Sequence, residues 1–125
     1  MPTRPAPQAI IIDDDPISRK LIRAMLAQEG WHVHDNHNNE QALQYHGAHP
    51  AQLVLIEISL PGKNGTEVCR EMRQQQRHPT KIVAYTHHAQ DTDKKAFLAN
   101  GFDDILIKPI TQASLINLLD VLGFR

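Results

Sequence analysis

The chain has one cysteine, Cys69, among 125 residues. A single thiol excludes an intrachain disulfide framework and a zinc cluster built on several cysteines. Neither sign of charge is in excess: 13 Lys and Arg face 14 Asp and Glu, for a formal net charge of −1. That balance gives no electrostatic case for nucleic acid or an anionic membrane surface. No apolar run approaches the length of a membrane span, and no signal-peptide pattern opens the sequence. Also missing are a glycine-rich phosphate loop, an HExxH helical pair, a haem-attachment motif and a Ser-His-Asp arrangement. What is present, 41% hydrophobic and 22% charged residues, suffices for one packed core and argues against general disorder. The expectation is a single soluble, cytoplasmic domain. Eight histidines are the one compositional oddity.

Residues 1–8 contain Pro2, Pro5 and Pro7 and read as a flexible arm ahead of a domain over 9–125. Ala9-Ile10-Ile11-Ile12 is a short β-branched run that stops at Asp13-Asp14-Asp15, the pattern of a strand buried on both faces. Ile17, Leu21 and Met25, extended by Ile22 and Leu26, mark a helical stripe, with Pro16 in the first turn and Gly30 at the end. Trp31 to His34 reads as a weaker strand and Asn38 to His46 as a short helix. Leu53 to Ile56 is a second buried strand, running into Glu57, and Leu60 to Gly65 has loop chemistry. Asn64 with Glu67 suits a helix start. Lys81 to Tyr85 is a strand ending at Thr86; Asp91 caps a helix carrying Ala96, Phe97 and Leu98. Ile105 to Ile107 leads into Lys108-Pro109. Leu115, Leu118, Leu119 and Leu122 stripe the last helix.

Strands alternating with helices predict an α/β fold: a doubly wound, five-stranded parallel sheet flanked by five helices. Ligands of such sheets gather beyond the carboxyl ends of the strands. There the sequence sets Asp13 and Asp14, then Glu57, then Thr86, then Lys108. Carboxylates suit a hard divalent cation such as Mg²⁺. Lys108 and Thr86 suit a phosphoryl oxygen or an acidic group.

The segments Ile10 to Pro16, Leu53 to Gly65, Ile82 to Thr86 and Gly101 to Ile110 together resemble the receiver domain of bacterial response regulators, from about Ala9 to about Leu122. The resemblance implies a flavodoxin-like fold with strand order 2-1-3-4-5. In that family an aspartate ending the third strand accepts a phosphoryl group from a histidine kinase. By the same resemblance Asp13 and Asp14 are the Mg²⁺ acids, Asp14 the more direct ligand. Thr86 is the switch hydroxyl, Lys108 the phosphoryl-contacting lysine, and Pro109 follows a cis-peptide candidate. The implied partner is a histidine kinase, a phosphotransfer protein or an output protein. It would be met on the face of the fourth helix, the last strand and the last helix, by a monomer or weak dimer.

The sequence departs from the family at the acceptor itself, where Glu57 stands in place of aspartate. The extra methylene displaces the attacking oxygen, and transfer is sensitive to displacements of about 1 Å. The longer carboxylate could instead reach Lys108 and Thr86 and stand in part for an aspartyl phosphate. The expectation is a non-enzymatic receiver that signals by protein contact without phosphorylation, with Mg²⁺ binding weak or absent at Asp13, Asp14 and Glu57. Three alternatives stay open. Glu57 or a neighbouring acid is a working acceptor, Glu57 is an engineered phosphomimetic, or Glu57 pairs with Lys108 for structural reasons alone.

The relay also differs. Ile105 stands where the family usually has an aromatic, and a branched aliphatic lacks the large rotamer swing. Ser59, His87 and His88 border the site; the two histidines could obstruct it or form a pH-sensitive lid, or be plain loop residues. His32 and His34 share a strand face with His37 just beyond, which supports a weaker reading as a histidine-based metal or pH sensor. Cys69 reads as packing. A receiver fills almost all of this length, so signalling by contact rather than through an attached effector is expected.

Overall fold

A computed structural model describes residues 6–36, 51–58, 65–75, 79–86 and 91–125. In chain order the elements are β1 (Gln8–Ile12), α1 (Pro16–Gln28), β2 (His32–Asn36), β3 (Leu53–Glu57), α2 (Gly65–Gln75), β4 (Lys81–Thr86), α3 (Asp91–Ala99), β5 (Asp104–Ile107) and α4 (Gln112–Val121). The strands form one sheet in the order β2-β1-β3-β4-β5, every adjacent pair parallel. This is the expected doubly wound topology. Four helices lie among the described residues; the short helix expected over 38–46 falls outside them.

The β-branched runs become strands because both faces of the sheet are covered. Strand alternation sends Ile11, Leu55, Val83 and Tyr85 to one face, under α1 and α4. Ile10, Ile12, Val54, Ile56, Ile82 and Ala84 go to the other, under α2. All of these are fully buried, and each such aliphatic side chain contributes roughly 1.5–3 kcal/mol of transfer free energy.

Several boundaries move from the sequence expectation. Gln8 already pairs with His32, and the Pro7 carbonyl accepts from the His32 N–H at 2.9 Å, so the sheet begins inside the expected arm. β2 starts after Trp31, whose ring packs edge-on against Phe124 at 4.9 Å between centroids. The expected stripe on α1 is only partly a core stripe. Ile22 and Leu26 are buried, while Ile17 and Leu21 are 69% and 56% exposed. The sheet takes the 22/26 row, and the 17/21 row passes beyond it to line an open groove of about 230 Å³ with Met25, Pro109 and Ile110.

Helix ends follow side-chain chemistry. Asp15 caps α1, its carboxylate accepting the Ile17 N–H at 3.0 Å, with Pro16 in the first turn. The chain then leaves α1 through Gly30 at φ 88°. Thr111 and Ser114 form a reciprocal capping box at α4, a signal the leucine spacing alone did not reveal.

At the amino-terminal ends of β4 and β5, Arg73 acts as a latch. Its Nε donates to the Gly101 carbonyl at 2.9 Å, its Nη1 to the Thr80 carbonyl at 2.7 Å, and its Nη2 to Asp103 Oδ2 at 2.6 Å. That Asp103 oxygen also accepts the Ile82 N–H. Arg73→Ala is expected to lower stability by about 3 kcal/mol in urea unfolding, because it strands these acceptors together. Arg73→Lys should recover less than half, since an ammonium cannot reproduce the fork.

Cys69 lies fully buried beside this latch. Burial pushes its thiol from the model-compound value of 9.0 up to about 11, with Arg73 partly opposing and Asp103 adding to the rise. A raised acid pKa stabilises the fold below the unfolded value, and that contribution is lost as pH climbs from 9 towards 11. Cys69 should therefore resist iodoacetamide in the native protein at neutral pH and react on unfolding, as mass spectrometry of the quenched protein will show.

Candidate functional site

Strand alternation places the chemistry in a row. Glu57 and Tyr85 are register partners on β3 and β4, so their side chains leave the same face. Asp13 and Lys108 follow the last residues of the flanking strands two positions beyond Ile11 and Leu106, which point to that same face. Asp13, Glu57, Tyr85 and Lys108 thus meet at the carboxyl edge of the sheet.

Asp13 is 1% exposed and Glu57 3%. The Lys108 ammonium is ion-paired with Glu57 Oε2 and lies 3.9 Å from Asp13 Oδ2. Two buried carboxylates therefore share one lysine. Asp13 has further partners: Oδ1 accepts the Asp15 N–H at 2.9 Å, and Oδ2 accepts the Tyr85 hydroxyl at 2.8 Å. Arg19 braces the same turn, its Nη1 donating to the Asp13 carbonyl at 2.7 Å. The Lys108 ammonium stands 5.1 Å from the centre of the Tyr85 ring, within cation–π range.

Thr86 is buried, and its carbonyl accepts the Lys108 N–H at 2.8 Å. Alternation assigns its side chain to the face opposite Tyr85. Asp14 is exposed. Ile105 is half-buried and packs against the α2-side core. The Lys108–Pro109 peptide bond is cis. Ser59, His87 and His88 lie outside the described residues, as does His37. His32 and His34 do share a face, their rings 4.8 Å apart, with His34 Nε2 3.1 Å from Gln8 Oε1.

Two participants escaped the sequence reading. Tyr85 reads from sequence only as a strand residue, yet it is fully buried and carries its hydroxyl into the acid cluster. The available signal was its position one residue before the strand-end threonine, in phase with Val83. Burial first, then the charge and hydrogen bond of Asp13, hold its phenol well above the ordinary tyrosine range. Tyr85 is therefore the O–H donor in its bond to Asp13 at neutral pH. Arg19, one turn into α1, carries no signal in the sequence pattern, because its acceptor is a backbone carbonyl.

Mg²⁺ takes open carboxylate oxygens and water. Here both oxygens of Asp13 already accept hydrogen bonds, and Glu57 is held by Lys108. Among the described residues no three acid, histidine or cysteine side chains converge closely enough to hold a metal ion. In this arrangement Asp13 and Glu57 do not fit the cation, and the exposed Asp14 is the carboxylate left open to it.

The sequence profile of the response regulator receiver domain matches residues 9–120. The transcriptional regulatory protein AruR of Pseudomonas aeruginosa is 36% identical over 116 residues, covering 89% of this chain and 47% of AruR. The sensor histidine kinase GacS of Pseudomonas protegens is 36% identical over 114 residues, covering 88% of this chain and 12% of GacS. The chain thus spans less than half the length of either relative. Among solved structures, the receiver domain of a sensor histidine kinase from Pseudomonas aeruginosa, with magnesium coordinated in its active-site cleft, superposes with a TM-score of 0.82. It is 27% identical and covers 93% of this chain and 96% of that one. Among the described residues no helix is long and apolar enough to cross a membrane.

Proposed function

Because the chain belongs to the response regulator receiver family of two-component signalling, we propose that it is a receiver held in one signalling state by Glu57 rather than by a phosphoryl group. The observation that carries this reading is the buried Glu57–Lys108 ion pair. In receivers the lysine at this place contacts the phosphoryl group. Here a resident carboxylate already satisfies it, supplying one charge and two acceptor oxygens where a phosphoryl group would supply more of both.

The output is protein contact. The face built from α3, β5 and α4 exposes Leu98 (44%) and Ile107 (51%) beside the exposed Lys94 and Lys95. Apolar centres with a charged margin suit a histidine kinase, a phosphotransfer protein or an output protein. Ile105 on β5, in place of an aromatic, uncouples this face from a rotamer-driven relay.

Beryllofluoride with Mg²⁺ tests the reading in a proton–nitrogen correlation spectrum. The spectrum is expected to remain unchanged at Thr86, Ile105 and Lys108. Saturable shifts at those amides would instead identify a working phosphoryl site and restore the phosphoacceptor reading.

A further inference from the structure

We infer that Tyr85 is a positioning residue that holds Asp13 closed to divalent cations, its hydroxyl taking the place on Asp13 that a metal would otherwise hold. This deepens the reading of a receiver independent of phosphorylation and rests on it. Asp13 is 1% exposed, so its carboxylate oxygens cannot turn to water and must be satisfied within the protein. Oδ1 has the Asp15 N–H at 2.9 Å. Oδ2 has the Tyr85 O–H at 2.8 Å, while the nearest cation, Lys108, stands at 3.9 Å and is engaged with Glu57. The phenol reaches Asp13 because it leaves β4 in the row that includes Glu57. Its ring at the same time faces the Lys108 ammonium, 5.1 Å from the centroid. One side chain thus supplies the positive hydrogen for Asp13 and a π face for the lysine that satisfies Glu57. An aliphatic side chain at this position would do neither and would leave Asp13 Oδ2 a buried anionic acceptor, which a cation satisfies best.

Tyr85→Phe removes the hydroxyl and keeps the ring, and Mg²⁺ alone is the probe. Isothermal titration of the full chain is expected to show about tenfold tighter Mg²⁺ binding in Tyr85→Phe than in the wild type, the affinity equivalent of re-satisfying one buried acceptor. Millimolar Mg²⁺ should raise the melting temperature of the variant and leave that of the wild type unchanged. The ¹³C shift of the Asp13 carboxylate should move on substitution, and move again with Mg²⁺ only in the variant. Adding Asp13→Asn to Tyr85→Phe should abolish the gain. Equal affinity in Tyr85→Phe and wild type overturns the inference. So does weaker binding in the variant, which would make Tyr85 a support for a metal ligand, and so does a gain that survives Asp13→Asn. A phosphodonor that labelled the wild type would defeat the signalling reading instead, and does not enter this comparison.

Discussion

Lys108→Met is expected to lower the free energy of unfolding by about 3–5 kcal/mol, measured by urea denaturation at neutral pH. The lysine side chain is 14% exposed and that of Glu57 4%. Removing the ammonium strands the Glu57 carboxylate and takes the neighbouring positive charge from Asp13. Breaking one partner of a buried pair leaves an uncompensated charge, whereas removing both does not. The double variant Lys108→Met with Glu57→Gln should therefore recover most of the loss. A contrasting pair joins α3 to the start of β5. Lys94 and Asp104 stand 3.7 Å apart with the lysine 53% exposed, and Lys94→Met should change stability too little to measure. A Lys108→Met protein as stable as the wild type would show that the ion pair does not organise the site.

Glu57→Asp is expected to gain phosphoryl labelling from acetyl phosphate and Mg²⁺ by about 100-fold over the wild type, since shortening the side chain withdraws the carboxylate by about the distance that in-line transfer tolerates least. The same step lengthens the gap to Lys108 and frees the lysine to meet a phosphoryl oxygen. Labelling is read by intact mass. If Glu57→Asp stays unlabelled, the defect lies beyond the acceptor, and Tyr85 on Asp13 becomes the first suspect. The combination Glu57→Asp with Tyr85→Phe then separates the two.

Topology was legible because both sheet faces are covered, so runs such as Ile10-Ile11-Ile12 and Leu53 to Ile56 carry an unmistakable buried signal. The strand ends followed from topology, and Asp13, Glu57 and Lys108 meet there. What the pattern could not reveal depends on geometry across strands. Tyr85 looks like any aromatic β-former; its role exists only because its register partner is Glu57 and its length spans to β1. The α1 stripe is only partly core for a related reason. Periodicity names a helix face but not where the sheet ends beneath it, and Ile17 and Leu21 fall outside that edge. Arg73 was invisible because its acceptors are mainly backbone carbonyls, which carry no sequence signature.

On the proposed reading Glu57 satisfies Lys108 in place of a phosphoryl group. The measurement that meets it most directly is intact mass of the wild-type chain after incubation with acetyl phosphate and Mg²⁺, followed by fragmentation across β3. An unmodified mass is predicted, with Glu57→Asp labelled alongside as the positive control. A stable phosphoryl adduct on Glu57 would make Glu57 a working acceptor and overturn the proposal.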